Sequence, residues 1–404
     1  MKVQKSIATQ AIEMKFFDSI HKIPVGFWDN CIPYSQLFLH RKYLTAFEEA
    51  HVQKVGVRYI VIFKGGEAVA WAFIQLIRVE GSNLQLEEKK GKFIDNMGIS
   101  FKNYMREKVN ALEPKMLICG NPFITGQHGF YFSPKIEAAE AFEELNKGID
   151  QVIREEKVKK DPVTAVMVKE FEAEMLEYAR FFNTQGYKEV EGLPDMVLYL
   201  REEWYCFEDY LQSMTSKYRT RTKSYRKKAK KLVSRNLSLE EIKENQQLIF
   251  ELYKEIADSA EVNLLSASPQ YYVELKRQFG NQFKILGYYL EGKLVGFISY
   301  FVTETHLEAH YVGYRYEMNR PHGLYVNILY DLVNEAIKYR VKTLAFGRTA
   351  HEIKSTVGAE PINANSFMRH QNFIGNRILA PVINRLRNDD WEQRKPFKAV
   401  VKGS

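Results

Sequence analysis

Residues 303–361, TETHLEAHYVGYRYEMNRPHGLYVNILYDLVNEAIKYRVKTLAFGRTAHEIKSTVGAEP, decide the fold of this chain. In the HLEAHY run that starts at His306, apolar and polar residues alternate. The pattern predicts a strand with His306, Glu308 and His310 on one face and Leu307, Ala309 and Tyr311 on the other. A loop from Glu317 to Gly323 follows, holding Asn319, Arg320, Pro321, His322 and Gly323. Leu324, Ile328, Leu332 and Ile337 then recur at helical spacing, which starts a helix at or near Gly323. Val341 to Phe346 reads as a strand returning beside the first through a right-handed crossover. A Gly-punctuated segment with Gly347, Arg348, His351, Lys354 and Gly358 closes the stretch.

This order sets the free N–H groups and the positive dipole end of the helix at the C-terminal end of the strand, where a phosphate or pyrophosphate is held. That is the anatomy of a site for a phosphate-bearing acyl donor. Asn319, Arg320, His322, Gly323 and Leu324 are the residues expected to meet the donor from the loop, with Gly347 and Arg348 opposite.

At 404 residues the chain exceeds one ordinary core and reads as two units of roughly 150 to 200 residues each. Hydrophobic content of 45% with 13% aromatic places it with folded soluble proteins and not with disordered chains. No uninterrupted apolar run reaches the roughly 20 residues that span a bilayer, and MKVQKSIATQ opens no signal-peptide pattern. A cytoplasmic protein without a transmembrane segment is therefore expected, with a peripheral position at the inner membrane surface as the variant. Cys31, Cys119 and Cys206 are scattered and odd in number, so neither a disulfide framework nor a cysteine zinc site is indicated. HExxH, GxSxG and the GxxxxGK(S/T) loop do not occur, and no metal is expected. The net charge of +8 and pI near 9.0 favour anionic partners such as nucleotide phosphates, tRNA or a lipid surface.

The first half shows strands at Val57 to Phe63 and Ala68 to Val79 around the hairpin turn Lys64-Gly65-Gly66-Glu67. A strand from Lys115 to Cys119 enters the loop GNPFITGQHG, and a helix runs from about Ile136 to Val158. A strand from Val163 to Lys169 comes next, then a helix with Phe171, Met175, Leu176, Ala179 and Phe182, and finally a strand from Met196 to Leu200. The second half repeats the order. A helix with Leu248, Ile249, Leu252, Tyr253 and Ile256 precedes a helix opened by Ser268-Pro269 and running to Phe279. Strands at Phe283 to Leu290 and Leu294 to Val302 flank the turn Glu291-Gly292-Lys293, ahead of the opening segment. The fold class is α/β, a mixed sheet with flanking helices in each of two similar units. The units are placed at 1–205 and 206–370, with 371–404 as a C-terminal extension.

Between the halves, SMTSKYRTRTKSYRKKAKKLVSR crowds cations from Lys217 to Arg235 into one helix-prone stretch, residues 213–235. Like charges this dense suit a solvated linker helix or one facing an anion, namely tRNA phosphates, CoA phosphates or anionic lipid. Tyr218 and Tyr225 favour nucleic acid, because tyrosine stacks on bases. Near the C-terminus, NFIGNRILAPVINRLRNDDW reads either as an interfacial amphipathic segment or, because Pro381 breaks it, as a segment packed on the body.

Three pieces resemble the GNAT superfamily of acyltransferases, in particular its FemAB-like branch with two tandem GNAT-type domains. SMTSKYRTRTKSYRKKAKK looks like the basic helix that opens the family's second domain. GLYVNILYDLVNEAIKYRVKTLAFG looks like its helix and strand ending in an aromatic-Gly pair, and EIKSTVG like its lysine-containing tail. The resemblance covers about Ser213 to Lys398. It implies transfer of an acyl or aminoacyl group from coenzyme A or aminoacyl-tRNA to an amine, and carries the tail lysine over to Lys354. The chain also departs from the family. No helical hairpin arm separates the halves, Ala257-Asp258-Ser259-Ala260-Glu261-Val262 replaces a Thr-x-x-Arg pattern, and Arg320-Pro321-His322-Gly323 is a degenerate form of the GNAT pyrophosphate loop.

Amide formation needs a neutral amine, a polarised carbonyl and a held leaving group. A carboxylate or imidazole in reach contributes roughly 10²- to 10⁴-fold as general base, and Glu308 and His310 are the candidates. Their structural alternatives are an ion pair of Glu308 with Arg315 or Lys354, and a satisfied core histidine. Lys354 is the candidate for oxyanion or phosphate contact, against an exposed loop lysine. Arg348 and His351 are further anion contacts, and Tyr311 is a proton donor to the leaving thiolate. Asn121, Thr125, Gly126, Gln127 and His128 occupy the equivalent loop of the first half, as a vestigial donor site or an acceptor pocket. The expected function is acyl-CoA-dependent N-acyl transfer, N-acetyl transfer included, to an amine-bearing acceptor such as a lipid or cell-envelope precursor. The alternatives are aminoacyl-tRNA-dependent transfer to such a precursor and non-catalytic binding of tRNA or membrane.

Overall fold

The structure, a computed structural model, describes residues 11–33, 35–50, 55–79, 113–258, 267–377 and 391–398. Two mixed sheets organise it. The first is built on the hairpin β2 (Val55–Lys64) and β3 (Glu67–Arg78), edged by β1 (Ile12–Phe17). Val55 to Ile77 register antiparallel around the Gly65-Gly66 turn, both glycines at positive φ, as a two-residue hairpin requires. β4 (Lys115–Cys119) pairs with β3 and runs parallel to β6 (Ala165–Phe171), while β5 (Phe130–Phe132) takes over the β3 edge where β4 stops. The crossover from β4 to β6 carries the helix α1 (Ala138–Val158), which buries Phe142, Leu145, Ile149 and Val152. This spacing is one face of a helix.

The second sheet repeats the scheme. β10 (Phe283–Leu290) and β11 (Lys293–Val302) form the hairpin, with β9 (Leu232–Asn236) at its outer edge and β12 (His306–Tyr314) on the inner side. β12 runs parallel to β13 (Thr343–Ala345) over three residue pairs, His306 to Glu308 against Thr343 to Ala345. The helix α2 (Leu324–Lys338) makes the crossover and buries Leu324, Ile328, Leu332 and Ile337, as its spacing predicts.

The last strands are exchanged between the units. β7 (Lys188–Glu191) lies at the edge of the first sheet, but the next strand in the chain, β8 (Asp195–Tyr199), enters the second sheet between β13 and β14 (Glu360–Ile362). Conversely, β15 (Asn365–His370) leaves β14 and fills the slot between β6 and β7 of the first sheet. Both strands thus cross the divide drawn from sequence at 205/206. The two crossing connections touch, Gly192 N–H donating to Ala364 O at 2.9 Å.

One aromatic core spans both units. Phe38, Tyr43, Phe47 and Phe123 of the first half pack with Tyr271, Tyr272, Phe297 and Phe301 of the second. Phe38 meets Phe301 edge-on at 5.3 Å and Phe123 lies 6.2 Å from Tyr271. The basic stretch is not a free linker. It forms the helix Ser216–Lys228, a 3-10 turn and then β9, and its buried Thr222 donates to Tyr330 Oη at 2.9 Å. Residues 391–398 return to the second unit, where Trp391 stacks on His351 and Phe397 packs against Trp204 and Tyr210. Most of the amphipathic stretch read near the C-terminus, residues 378–390, lies outside the described residues.

Candidate functional site

Beyond Glu308 and Ala345 the parallel strands part: β12 continues to Tyr314 while β13 ends. A cavity of about 540 Å³ opens in this splay. Ala309, Tyr311 and Val312 line one side, Phe346, Gly347, Arg348 and Lys354 the other, and Tyr325, Ile328 and Leu329 of α2 form the floor. A second cavity of about 560 Å³ lies between the sheets, lined by Thr125, Gly126, Gln127 and His128 of the first half and by Asp195, His306 and Glu308 of the second sheet. Glu308 and Thr125 belong to both.

The strict alternation read along β12 fails at one point. Two residues, His310 and Tyr311, stand opposite the single Ser299 between the pairs Ile298–Val312 and Tyr300–Ala309. Such a bulge turns the extra side chain to the other face. Tyr311 accordingly leaves the side of Leu307 and Ala309 and joins His310, their rings 4.2 Å apart. Ser299 closes the bulge, its Oγ accepting from Tyr311 N–H at 3.0 Å.

Glu308 forms no hydrogen bond or ion pair among the described residues: Arg315 pairs with Glu255 at 3.1 Å, and Lys354 is occupied elsewhere. Burial, with Asp195 and then Glu172 nearby, pushes its carboxyl well above the ordinary value because desolvation and like charge both disfavour ionisation. His310 is half-buried, lines the first cavity and has both ring nitrogens within reach of hydroxyls. Nδ1 lies 3.0 Å from Ser299 Oγ and Nε2 3.3 Å from Tyr271 Oη, and burial drops it to about 3, so the ring is neutral. Tyr271 continues this polar chain to Tyr43 Oη at 2.9 Å, which accepts from Asn121 Nδ2 at 2.7 Å. Burial raises Tyr311 well above its usual value and keeps its hydroxyl protonated.

Lys354 is buried, not an exposed loop lysine. It stands on the short helix α3 (His351–Ser355), and its Nζ donates to Gly347 O at 2.8 Å and Arg348 O at 2.6 Å. The turn it staples is strained: Gly347, Thr349 and Ala350 have φ of 74°, 69° and 48°, a left-handed region costly for the two residues with side chains. Burial lowers the ammonium to about 7, against the pull of Asp195. Arg348 reaches across the units to Glu170 at 2.6 Å, and Glu170 also accepts from Lys169 at 2.8 Å and from Gly126 N–H at 2.5 Å.

The expected donor loop is mostly helical, a correction to the reading of Glu317 to Gly323. Tyr316–His322 is a short helix with Pro321 inside it, and Gly323 at φ 59° joins it to α2. Asn319 Oδ1 accepts from Tyr325 N–H at 3.1 Å and so occupies one amide of the α2 N-terminus. Arg320 is exposed. Asn319, Arg320, His322, Gly323 and Leu324 do not line the cavity, whereas Gly347 and Arg348 do. Reasoning from sequence missed Asp195, Glu172 and Glu170: each is distant in the chain from Glu308, and only the strand exchange that carries β8 into the second sheet sets Asp195 near it.

The two sheets, each with a hairpin and a parallel strand pair joined by a helical crossover, make a tandem α/β architecture. The FemAB-like family, described as peptidoglycan biosynthesis/recognition, matches residues 19–398, and the chain belongs to it. Similar solved structures include FemX, at 11% identity over 85% of this chain and 93% of that one with a TM-score of 0.48. A tandem GNAT protein from the clavulanic acid biosynthesis pathway matches at 12% identity over 89% and 99%, TM-score 0.48. The C-terminal domain of a lysylphosphatidylglycerol synthetase from Agrobacterium fabrum does so at 8% over 67% and 82%, TM-score 0.42. No curated protein matches the chain. No helix among the described residues is long and apolar enough to cross a membrane.

Proposed function

We propose that this transferase moves an acyl group from acyl-CoA to an amine, with the donor's acyl arm in the strand splay and the acceptor in the cavity between the sheets. The observation that carries the reading is Glu308, an unpaired carboxylate in the wall of both cavities. In this scheme Glu308 takes one proton from the ammonium, the freed amine attacks so that the C–N bond forms as the thioester C–S bond breaks, Tyr311 hands its proton to the departing thiolate, and the second proton shed by the nitrogen restores the Tyr311 hydroxyl. Lys354 uses two of its three N–H groups on the Gly347 and Arg348 carbonyls and has one left for the developing oxyanion. Asn319, Arg320 and His322 meet the carrier's phosphates outside the cavity. The reaction is set in the cytoplasm, at or near the inner membrane surface.

A second reading, an aminoacyl-tRNA donor and a cell-envelope precursor as acceptor, draws on the basic helix. Lys217, Arg221, Lys223, Lys227, Lys228, Lys230 and Lys231 are exposed, and the helix adjoins the donor segment, Lys228 O lying 3.4 Å from His322 Nδ1. Phosphate contacts of this kind weaken steeply with salt. The deciding experiment is incubation with a panel of acyl-CoAs and charged tRNAs, followed by mass spectrometry of bound and released species. A thioester consumed with amide formation supports the first reading, and a deacylated tRNA with a modified precursor the second. If neither donor binds, both are wrong.

A further inference from the structure

A buried polar chain runs from the first unit into the wall of the donor cavity, and the transferase scheme leaves it unused. Asn121, Tyr43 and Tyr271 are all buried; the first two belong to one half of the sequence and Tyr271 to the other. The chain has a fixed starting end. Phe123 N–H donates to Asn121 Oδ1 at 3.0 Å, so the amide turns its Nδ2 to Tyr43 Oη at 2.7 Å. Tyr43 therefore accepts from Asn121 and has its own hydrogen for Tyr271 Oη, 2.9 Å away. Tyr271 in turn has its hydrogen for His310 Nε2 at 3.3 Å. A neutral imidazole has one N–H, and burial keeps this ring neutral. With Nε2 accepting, the proton is on Nδ1.

The far end agrees. Ser299 Oγ lies 3.0 Å from Nδ1, accepts from Tyr311 N–H at 3.0 Å and donates to Tyr311 O at 3.2 Å. Both lone pairs and the hydrogen of this hydroxyl are then in use. The opposite sense fails at both ends. An Nε2–H would turn the Tyr271 hydrogen back to Tyr43, which already accepts from Asn121 and has no other acceptor for its own hydrogen among the described residues. A bare Nδ1 would draw the Ser299 hydrogen away from Tyr311 O. An unpaired buried donor and a lost bond disfavour this sense.

We propose that Asn121, Tyr43 and Tyr271 are positioning residues: across the unit boundary they fix the proton of His310 on Nδ1, and through Ser299 they hold the bulge that presents Tyr311 to the donor cavity. None of the three lines that cavity, so their effect passes through His310 and Ser299. The inference rests on the transferase reading for the role of Tyr311 as proton donor to the thiolate.

NMR on the full chain with 15N in its histidine rings tests this, His310→Gln marking which signals belong to His310. The wild-type ring is expected to be protonated on Nδ1 and bare on Nε2. Tyr271→Phe and Tyr43→Phe each remove one hydroxyl, nearly keep the packing volume and leave the cavity lining intact. Both are expected to shift His310 to a mixture of tautomers and to raise hydrogen exchange at the Tyr311 amide several-fold. A merely structural loss at Tyr43 would lower stability and leave the tautomer where it was. A wild-type ring protonated on Nε2, a tautomer unmoved by both substitutions, or a Tyr311 amide indifferent to a moved tautomer overturns the proposal. Acetyl-CoA is titrated separately into the wild-type chain by calorimetry. Ring and amide responding as expected, with no acetyl-CoA bound, count against the donor reading and spare this inference, whereas acetyl-CoA binding with an unmoved tautomer does the reverse.

Discussion

Glu308 owes its character to its surroundings. The same residue on an exposed strand would be an ordinary carboxylate, but burial, Asp195 and Glu172 raise its proton affinity, which makes it a stronger base once ionised. Glu308→Gln keeps the shape and removes the base, and is expected to lower kcat by roughly 10²- to 10⁴-fold while donor affinity in calorimetry stays unchanged. Lys354 gives a prediction through pH. Its folded value of about 7 lies below the ordinary 10.5, so between these limits the unfolded chain holds more protons and stability rises with pH. Urea denaturation from pH 7 to 9.5 should show this rise, and Lys354→Met should flatten it. An unchanged slope would mean that the ammonium is not desolvated. The residue types at both positions are legible from sequence as candidates. Their states are not, because pKa depends on neighbours that the chain delivers from more than a hundred residues away.

At the scale of elements, periodicity found the hairpins, the crossover helices and the start of α2 to within a few residues, since each is set by local spacing and by turn residues that tolerate positive φ. Among what it missed, including β1, β7, β9 and β15, two features bear on the site. The bulge at His310 and Tyr311 has no local signature, since it is the pairing with Ser299 that makes two residues face one. The short helix Tyr316–His322 contains a proline, and the stretch from Glu317 to Gly323 reads as a loop although Pro321 falls near the helix end, ahead of Gly323. Gly323 carries a test of this junction. Its φ is 59°, and a Cβ there would lie 2.6 Å from the Tyr225 ring of the basic helix. Gly323→Ala should cost about 1 kcal/mol for the backbone alone and more from displacing Tyr225, read as a lower urea midpoint with unchanged m. A neutral substitution would show that the two helices do not press together here.

For the molecule as a whole, the strand exchange determines what can fold alone. A fragment of residues 1–205 retains β6 and β7 but lacks β15 between them, and carries β8 with no sheet to join. Exposed ladder edges and half of a shared aromatic core are left unpaired. This fragment should aggregate or lack a cooperative thermal transition, while the full chain unfolds in one. A well-folded fragment with dispersed amide resonances would contradict the exchange. The Arg348–Glu170 ion pair, half-buried on the arginine side and buried at the carboxylate, ties the two units further.

The sequence by itself determined the class of fold, the duplication of an α/β unit, the parallel strand pair with its crossover helix and the candidate set Glu308, His310, Tyr311 and Lys354, because these follow from local spacing. Only the tertiary structure decided that both ring nitrogens of His310 meet hydroxyls, that Lys354 staples a strained turn, and that Asp195 and Glu172 share the surroundings of Glu308. The physical reason is that burial, like-charge repulsion and hydrogen-bond satisfaction are properties of what surrounds a side chain. Here those surroundings are assembled by two strands that leave their own unit for the other.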